Sequence, residues 1–505
     1  IIVRTAAGET MTIDGLGAWP RAADPEWFRR NHGGRIPPGV HRSVVPGAPG
    51  SWLAALSQFG TMSFAEVVAP AIRLARDGFV VGALFNRIVS ELKSEFARWP
   101  QNAALFLPGG RVPEVGSVFR LTELANTLEL LVRAERSKGG NREVGIAAAR
   151  DAFYRGEIAQ AIDRFYRAEG GWLSTEDLAA HRTRIEPAVR IDGGGGTLHT
   201  CGAWCQGPML GQVLGLLDSF GLDGMAHNDV AYVHAIVEAL KLSFADREHY
   251  FGDPDFVSVP LDTLLSPTYL RTRARLIDPE RAVPAMPAPG DIEGVKPYRS
   301  DAMPKAGVHA PNLDTSFICT VDRHGNMFAA TPSDGCFAGP MVPGTGLCPS
   351  SRGAQSWTDP AHASVLAPGK RPRLTPSPAF AERDGRVIAF GSPGDDLQPQ
   401  AMLQVLLNMW RFGMTPQAAV EAPRFASTSF PRTFEPHEYW PGKMVAEGRI
   451  AGDVRAGLVS RGHLLEVWEN WDWRAGCVCL VERDGTSGLL RGAADPRRPS
   501  GAVGN

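Results

Sequence analysis

Asp314-Thr315-Ser316-Phe317-Ile318-Cys319-Thr320-Val321-Asp322-Arg323-His324-Gly325-Asn326-Met327-Phe328-Ala329-Ala330-Thr331-Pro332-Ser333 holds two apolar, strand-like runs around a polar turn. Residues 317–321 and 327–331 are the strands, and residues 322–326 carry the Asp, Gly and Asn of a turn, so the stretch predicts a β-hairpin. If Val321 pairs with Met327, Thr315 faces Ser333 across the two chains. Directly opposed residues have Cβ atoms roughly 4.5–5.5 Å apart, close enough for two hydroxyls to hydrogen-bond. A slip of one residue would remove that pairing. Cleavage of the Asp314–Thr315 bond would leave Thr315 with a free α-amine of unperturbed pKa about 7.7–8.0. That amine can take the hydroxyl proton, which is the N-terminal threonine form of an activated nucleophile. The bland alternative is a Thr–Ser pair that only packs a sheet.

Moving outward, residues 386–389 predict a strand and residues 400–412 a helix. Between them lies Gly391-Ser392-Pro393-Gly394-Asp395-Asp396. Successive backbone N–H groups in such a turn can cradle an anion, although an ordinary Gly/Pro turn with a helix cap has the same composition. Residues 477–482 predict another strand. Upstream the pattern is mostly helical. Ser63 followed by Glu66 is a capping-box signature that opens an amphipathic run from Phe64 to about Asp77. Ser174-Thr175-Glu176-Asp177-Leu178 opens a second helix, and residues 228–250 a third, which stops at Gly252-Asp253-Pro254. Residues 277–314 are punctuated by prolines and predict a linker or a long exposed arm. Helices dominate first and strands later, with both in each half, which points to layered α/β or α+β.

The bulk properties exclude several classes. The chain has 505 residues, 44% hydrophobic and 21% charged, ordinary for a globular protein. A net charge of -2 and a pI near 6.7 give no sign of nucleic acid or an anionic membrane as partner. No apolar run approaches a membrane span. Ile1-Ile2-Val3 reads as a strand, with no basic and then apolar leader, so the chain is expected to begin downstream of its natural start; the compartment, cytoplasmic or periplasmic, is unreadable. Seven cysteines are an odd number for a disulfide framework, so buried free thiols are expected. No Cys/His cluster has zinc spacing. His234, Glu238 and Lys241 share a helical face without a completing ligand, so they are expected to make structural polar contacts. No metal and no cofactor are expected.

These residues resemble the gamma-glutamyltranspeptidase family over most of the chain. The resemblance is carried by Val45-Pro46-Gly47, Phe59-Gly60-Thr61-Met62 and the run from Val68-Ala69-Pro70-Ala71 to Asp77-Gly78-Phe79. It continues through Phe153-Tyr154-Arg155-Gly156-Glu157, Glu238-Ala239-Leu240-Lys241 and Gly252-Asp253-Pro254-Asp255-Phe256. Later come Pro343-Gly344-Thr345-Gly346, Lys370-Arg371-Pro372, Gly391-Ser392-Pro393-Gly394 and Ala494-Asp495-Pro496-Arg497. The resemblance implies an α+β fold, a four-layer αββα sandwich of the N-terminal nucleophile hydrolase type lacking its first elements. It implies self-cleavage into a helix-rich region 1–314 and a strand-rich region 315–505, together one interleaved domain. Thr315 falls on the nucleophile, Ser333 on the supporting hydroxyl, and Gly394 and Asp395 on the oxyanion-hole amides, where the family usually has Gly-Gly.

The departures concern substrate. The Arg that clamps a glutamyl carboxylate is replaced by Leu16, and the amine-binding Asn by Gly335. The acid that holds the α-ammonium falls near Gln355, and a Ser-Ser pair falls near Leu374-Thr375. A buried zwitterion without partners costs several kcal/mol, so the nucleophile machinery is expected to persist while γ-glutamyl specificity is lost. The expectation is a self-processing threonine amidohydrolase acting on a small amide, akin to the family branch that hydrolyses oxamate. Arg352 or Arg373 would supply a replacement anion contact, with Gln355 and Thr375 lining the substrate; the alternative for each Arg is a solvated surface residue. Its expected partners are a small-molecule amide and its own two processed subunits, with a homodimer of these left open. Two other readings remain: a γ-glutamyl transferase with a rebuilt pocket, and a catalytically idle binding protein on the same scaffold.

Overall fold

The hairpin forms in the expected register. In the computed structural model, which describes residues 1–138, 140–298 and 315–504, Ile318–Val321 pairs antiparallel with Met327–Ala330, Val321 opposite Met327 and Ile318 opposite Ala330. The turn is locked by Asp322, whose carboxylate accepts from the Asn326 and His324 amides at 2.8 and 2.9 Å. Gly325, at φ +93°, takes the position that an L side chain would strain.

Around this hairpin a five-stranded sheet assembles in the order Ile185–Pro187, Thr10–Ile13, Ile2–Arg4, Met327–Ala330, Ile318–Val321. A six-stranded sheet runs Leu490–Ala493, Cys479–Asp484, Arg386–Gly391, Ala379–Arg383, Gly196–Thr200, Val189–Gly193. Both sheets take strands from before and after position 315. They meet face to face over Ile2, Met327, Ala329, Phe380 and Ala389, with Phe317, Cys319 and Val321 packed alongside. Helices Gly207–Phe220 and Gln398–Trp410 contact the six-stranded sheet, and helix Ala48–Phe59 contacts the other. The architecture is α+β.

Local signals act as expected where the chemistry is local. Phe64–Asp77 and Thr175–Ala180 both begin with complete capping boxes, Ser63 with Glu66 and Ser174 with Asp177. The third helix is Val230–Tyr250, capped by the Asp229 side chain on the Tyr232 amide. Several boundaries shift, two of them for a clear local reason. The helix predicted from residue 400 begins at Gln398, because Pro399 fits a first turn that needs no N–H. The strand predicted from residue 477 begins at Cys479, because the Cys477 and Val478 amides donate to Ser392 Oγ and Asp495 Oδ2 and so cannot join the ladder.

Two expectations need correction. The described part of the Pro-rich segment, residues 277–298, is mostly exposed or half-buried, with only Ile277, Ala282 and Gly290 buried, but it is not a free arm. It is pinned along Val230–Tyr250: Val283 N–H donates to Glu238, Gly290 N–H to Asp246, Tyr250 OH to Gly290 O, and Tyr298 N–H to His249 O. Residues 299–314, including Asp314, lie outside the described residues. The cysteines are all free, but only Cys201, Cys205 and Cys477 are buried; Cys319, Cys336, Cys348 and Cys479 are half-buried. Among the described residues no helix is long and apolar enough to cross a membrane.

Candidate active site

Thr315 and Ser333 close the hairpin as an isolated antiparallel bridge, three residues beyond the last regular pair. Their hydroxyl oxygens lie 2.6 Å apart, and the Ser316 amide donates to Pro332 O at 2.9 Å. Thr315 is only 9% exposed. The next inward-facing residue, Phe317, lies on Gly391 so closely that a Cβ there would sit 2.3 Å from its ring. This contact docks the start of the hairpin on the end of strand Arg386–Gly391, just before the Gly394-Asp395 turn.

Ser333 Oγ also accepts from Arg352 Nη2. Arg352 opens a short 3-10 turn, Arg352–Gln355, and is 2% exposed, so the alternative of a solvated surface residue fails. Its guanidinium lies 5.0 Å from the centre of the Phe434 ring, and its Nε is 3.8 Å from Asp334 Oδ2. Asp334 is itself fixed by the Ser350 hydroxyl at 2.6 Å, the Ser351 hydroxyl at 2.7 Å and the Gly335 amide at 3.0 Å. A nearly buried cation thus stands beside the two hydroxyls.

The turn after strand Arg386–Gly391 puts Gly394 at φ +120° and Asp395 at φ +51°. Asp is among the few L residues that tolerate the left-handed region. Its carboxylate is held by Arg432 at 2.9 Å. The neighbouring Asp396 receives the Thr433 hydroxyl at 2.6 Å and pairs with Arg247. Residues 432–434 therefore connect the parts of the site: Arg432 to Asp395, Thr433 to Asp396, Phe434 to Arg352.

Gln355 and Thr375 are fully buried and bonded to each other, Gln355 Nε2 donating to Thr375 Oγ1 at 2.9 Å. Gln206 Nε2 donates to both Thr375 O and Asp395 O at 2.9 Å, tying this pair to the turn. Arg373 goes elsewhere. It pairs with Glu248 at 2.6 Å and donates to Arg247 O at 3.0 Å. Burial opposes the Glu248 charge, but Arg373 and Arg247 outweigh it and hold the carboxyl well below its ordinary range. Arg373 is a structural counter-ion, and the expectation of an anion contact there is corrected.

Two of the positions that depart from the resemblance are filled by packing. Leu16 is buried with Trp19, Phe28 and Val44. Gly335 lies under Phe337, whose ring would be 2.2 Å from any Cβ at 335. Asp334, Ser350, Ser351, Arg432 and Phe434 were not foreseen. Asp334 follows Ser333 directly, and the Ser350-Ser351-Arg352 run offered a signal, but nothing local marks Arg432 or Phe434.

His234, Glu238 and His463 bring ligand atoms within 4.8 Å of one another, all buried. His463 was invisible from the helix pattern. His234 bonds Asp278 O at 2.7 Å and His463 Nε2 at 2.8 Å, while Glu238 takes Lys241 Nζ at 2.7 Å and the Val283 amide at 3.0 Å. The Lys241 ammonium places a positive charge on Glu238, while His463 Nδ1 has no hydrogen-bond partner among the described residues.

The family model for gamma-glutamyltranspeptidase matches residues 1–505. The chain is 31% identical to the glutathione hydrolase-like YwrD proenzyme of Bacillus subtilis, over 91% of this chain and 80% of that one. It is 30% identical to the oxamate amidohydrolase proenzyme of Klebsiella pneumoniae, over 98% of this chain and 87% of that one. The solved cephalosporin acylase from Bacillus halodurans superposes with a TM-score of 0.81 at 29% identity, covering 98% of this chain and 84% of that one. The chain belongs to the gamma-glutamyltranspeptidase family, hydrolases and acyltransferases that act on amide bonds.

Proposed function

We propose that this chain is a self-processing threonine amidohydrolase that cleaves small amides through an acyl-enzyme on Thr315. The observation that carries the reading is the 2.6 Å approach of the Thr315 and Ser333 hydroxyls. Cleavage before Thr315 would leave regions 1–314 and 315–505 associated, because each sheet draws strands from both. In the layering proposed, helices cover the outer faces of the two sheets as a four-layer αββα sandwich.

In the proposed reaction the Thr315 α-amine takes the hydroxyl proton as Oγ1 attacks the amide carbonyl. The Gly394 and Asp395 backbone amides would receive the oxyanion. The pairing of the Asp395 carboxylate with Arg432 supports this role, since it offsets the negative charge nearest the turn. Collapse breaks the C–N bond, and the leaving amine takes the proton from the α-ammonium. Water then attacks the ester, passing its proton to the same amine, which hands it on to Thr315 Oγ1 as the ester C–O bond breaks, releasing the acid and restoring Thr315. On the acyl side we assign Gln355 and Thr375 to the pocket wall; Gln355 Oε1 has no hydrogen-bond partner among the described residues and would accept from a substrate N–H.

Packing at Leu16 and Gly335 supports a substrate without an amino-acid zwitterion. The test is a panel of amides, including oxamate and a γ-glutamyl anilide, with wild type and Thr315→Ala side by side. The expected result is amine or ammonia release from small amides that vanishes in Thr315→Ala, with little from the anilide. Turnover confined to the anilide would instead favour a γ-glutamyl enzyme. Ligand binding that survives Thr315→Ala, with no release from any amide, would favour an idle scaffold.

A further inference from the structure

Arg352 carries a charge to the hydroxyl pair through Ser333. A guanidinium carries five donors and no acceptor, so in this contact Ser333 Oγ can only accept. A hydroxyl that accepts from a cation is polarised, and its own proton becomes a better donor. Thr315 Oγ1, 2.6 Å away, is placed to receive it. That direction matters for chemistry. If Ser333 donates to Thr315, the Thr315 proton points to a base and the developing alkoxide keeps a hydrogen bond. If Ser333 accepted from Thr315 instead, the proton to be removed would be tied up.

The surroundings hold Arg352 in one orientation. Phe434 covers one face of its plane, and Nε lies on Asp334 Oδ2 at 3.8 Å. Asp334 is in turn immobilised by Ser350 and Ser351, which flank Arg352 in the chain. With the guanidinium 2% exposed, water screens its field weakly.

We propose that Arg352 is a positioning residue: it acts on Thr315 through Ser333, setting the direction of the Ser333 proton and stabilising the nucleophile oxygen, and it does not serve as the substrate's anion clamp. This rests on the reading of Thr315 as nucleophile. Steady-state kinetics on the best amide from the panel separate the two roles, using Arg352→Met, Arg352→Lys, Ser333→Ala and the double variant Ser333→Ala/Arg352→Met, each checked for an unchanged melting temperature and for processing. Arg352→Met should lower kcat by about a hundredfold with KM within about threefold of wild type. Arg352→Lys, which keeps charge but not the planar fork, should recover part of the loss. The double variant should be no slower than Ser333→Ala alone, because one path is cut twice. A large rise in KM at unchanged kcat, or losses that multiply in the double variant, overturns the proposal while Thr315-dependent turnover in wild type leaves the underlying reading standing. Wild type without such turnover overturns both, the reading first.

Discussion

At the scale of single residues, the site depends on short contacts such as the 2.6 Å approach of the Thr315 and Ser333 hydroxyls. Ser333→Ala removes the group that meets Thr315, and turnover should fall about a hundredfold, in line with the loss of one preorganised donor, with little change in melting temperature. Asp395 combines two costs in one residue, a left-handed backbone and a charge committed to Arg432. Asp395→Ala and Asp395→Gly both remove one partner of Arg432, which keeps Glu438 at 3.4 Å, but only Ala keeps a Cβ at φ +51°. Denaturant titration should therefore find Asp395→Ala the less stable of the two by about 1–2 kcal/mol. The hydroxyl pair was legible in the sequence because a hairpin register needs only a turn and two alternating runs, and the described contact lies where that register puts it. The direction of Arg352 was not. Position 352 gives its residue type, but whether it faces solvent, substrate or Ser333 depends on Phe434, distant in sequence.

At the scale of elements, the helix Val230–Tyr250 organises the interior. Its charged residues are buried and paired: Glu238 with Lys241, Asp246 with Arg273, Arg247 with Glu248 and Asp396. Glu248 anchors Arg247 and Arg373 together and also lies 3.2 Å from His362. Glu248→Gln would leave two buried guanidinium groups short of a counter-ion, a loss expected at about 3–5 kcal/mol, measurable by denaturant unfolding. The caps of two other helices were legible because Ser63–Glu66 and Ser174–Asp177 each act within one turn, whereas the Asp229 cap lies inside the range expected to be helical from residue 228. The pinning of residues 277–298 to that helix was not, since proline-rich composition reports a lack of regular structure but not what the segment packs against.

At the scale of the whole molecule, two sheets built from both sides of position 315 mean that a cut there should not separate the pieces. The α+β class was legible from helices first and strands later, whereas the pairing of Ile2–Arg4 with Met327–Ala330 joins residues more than 300 apart and leaves no local trace. Burial also sets a pH limit. It pushes His181 and His362 down to about 4 and His463 to about 3 from an ordinary 6.5. The unfolded chain binds protons at these sites first, so their contribution is intact above pH 6.5 and is lost as pH falls toward 4. Melting temperature should decline steadily across that window. The central claim concerns Thr315, and its most direct test is intact-mass analysis of purified wild type and Thr315→Ala, each assayed on the same amide. The account predicts that wild type is two fragments, the smaller beginning Thr315-Ser316-Phe317-Ile318, with turnover, while Thr315→Ala stays one 54.3 kDa chain without turnover. An uncut wild-type chain whose turnover is matched by Thr315→Ala would contradict it.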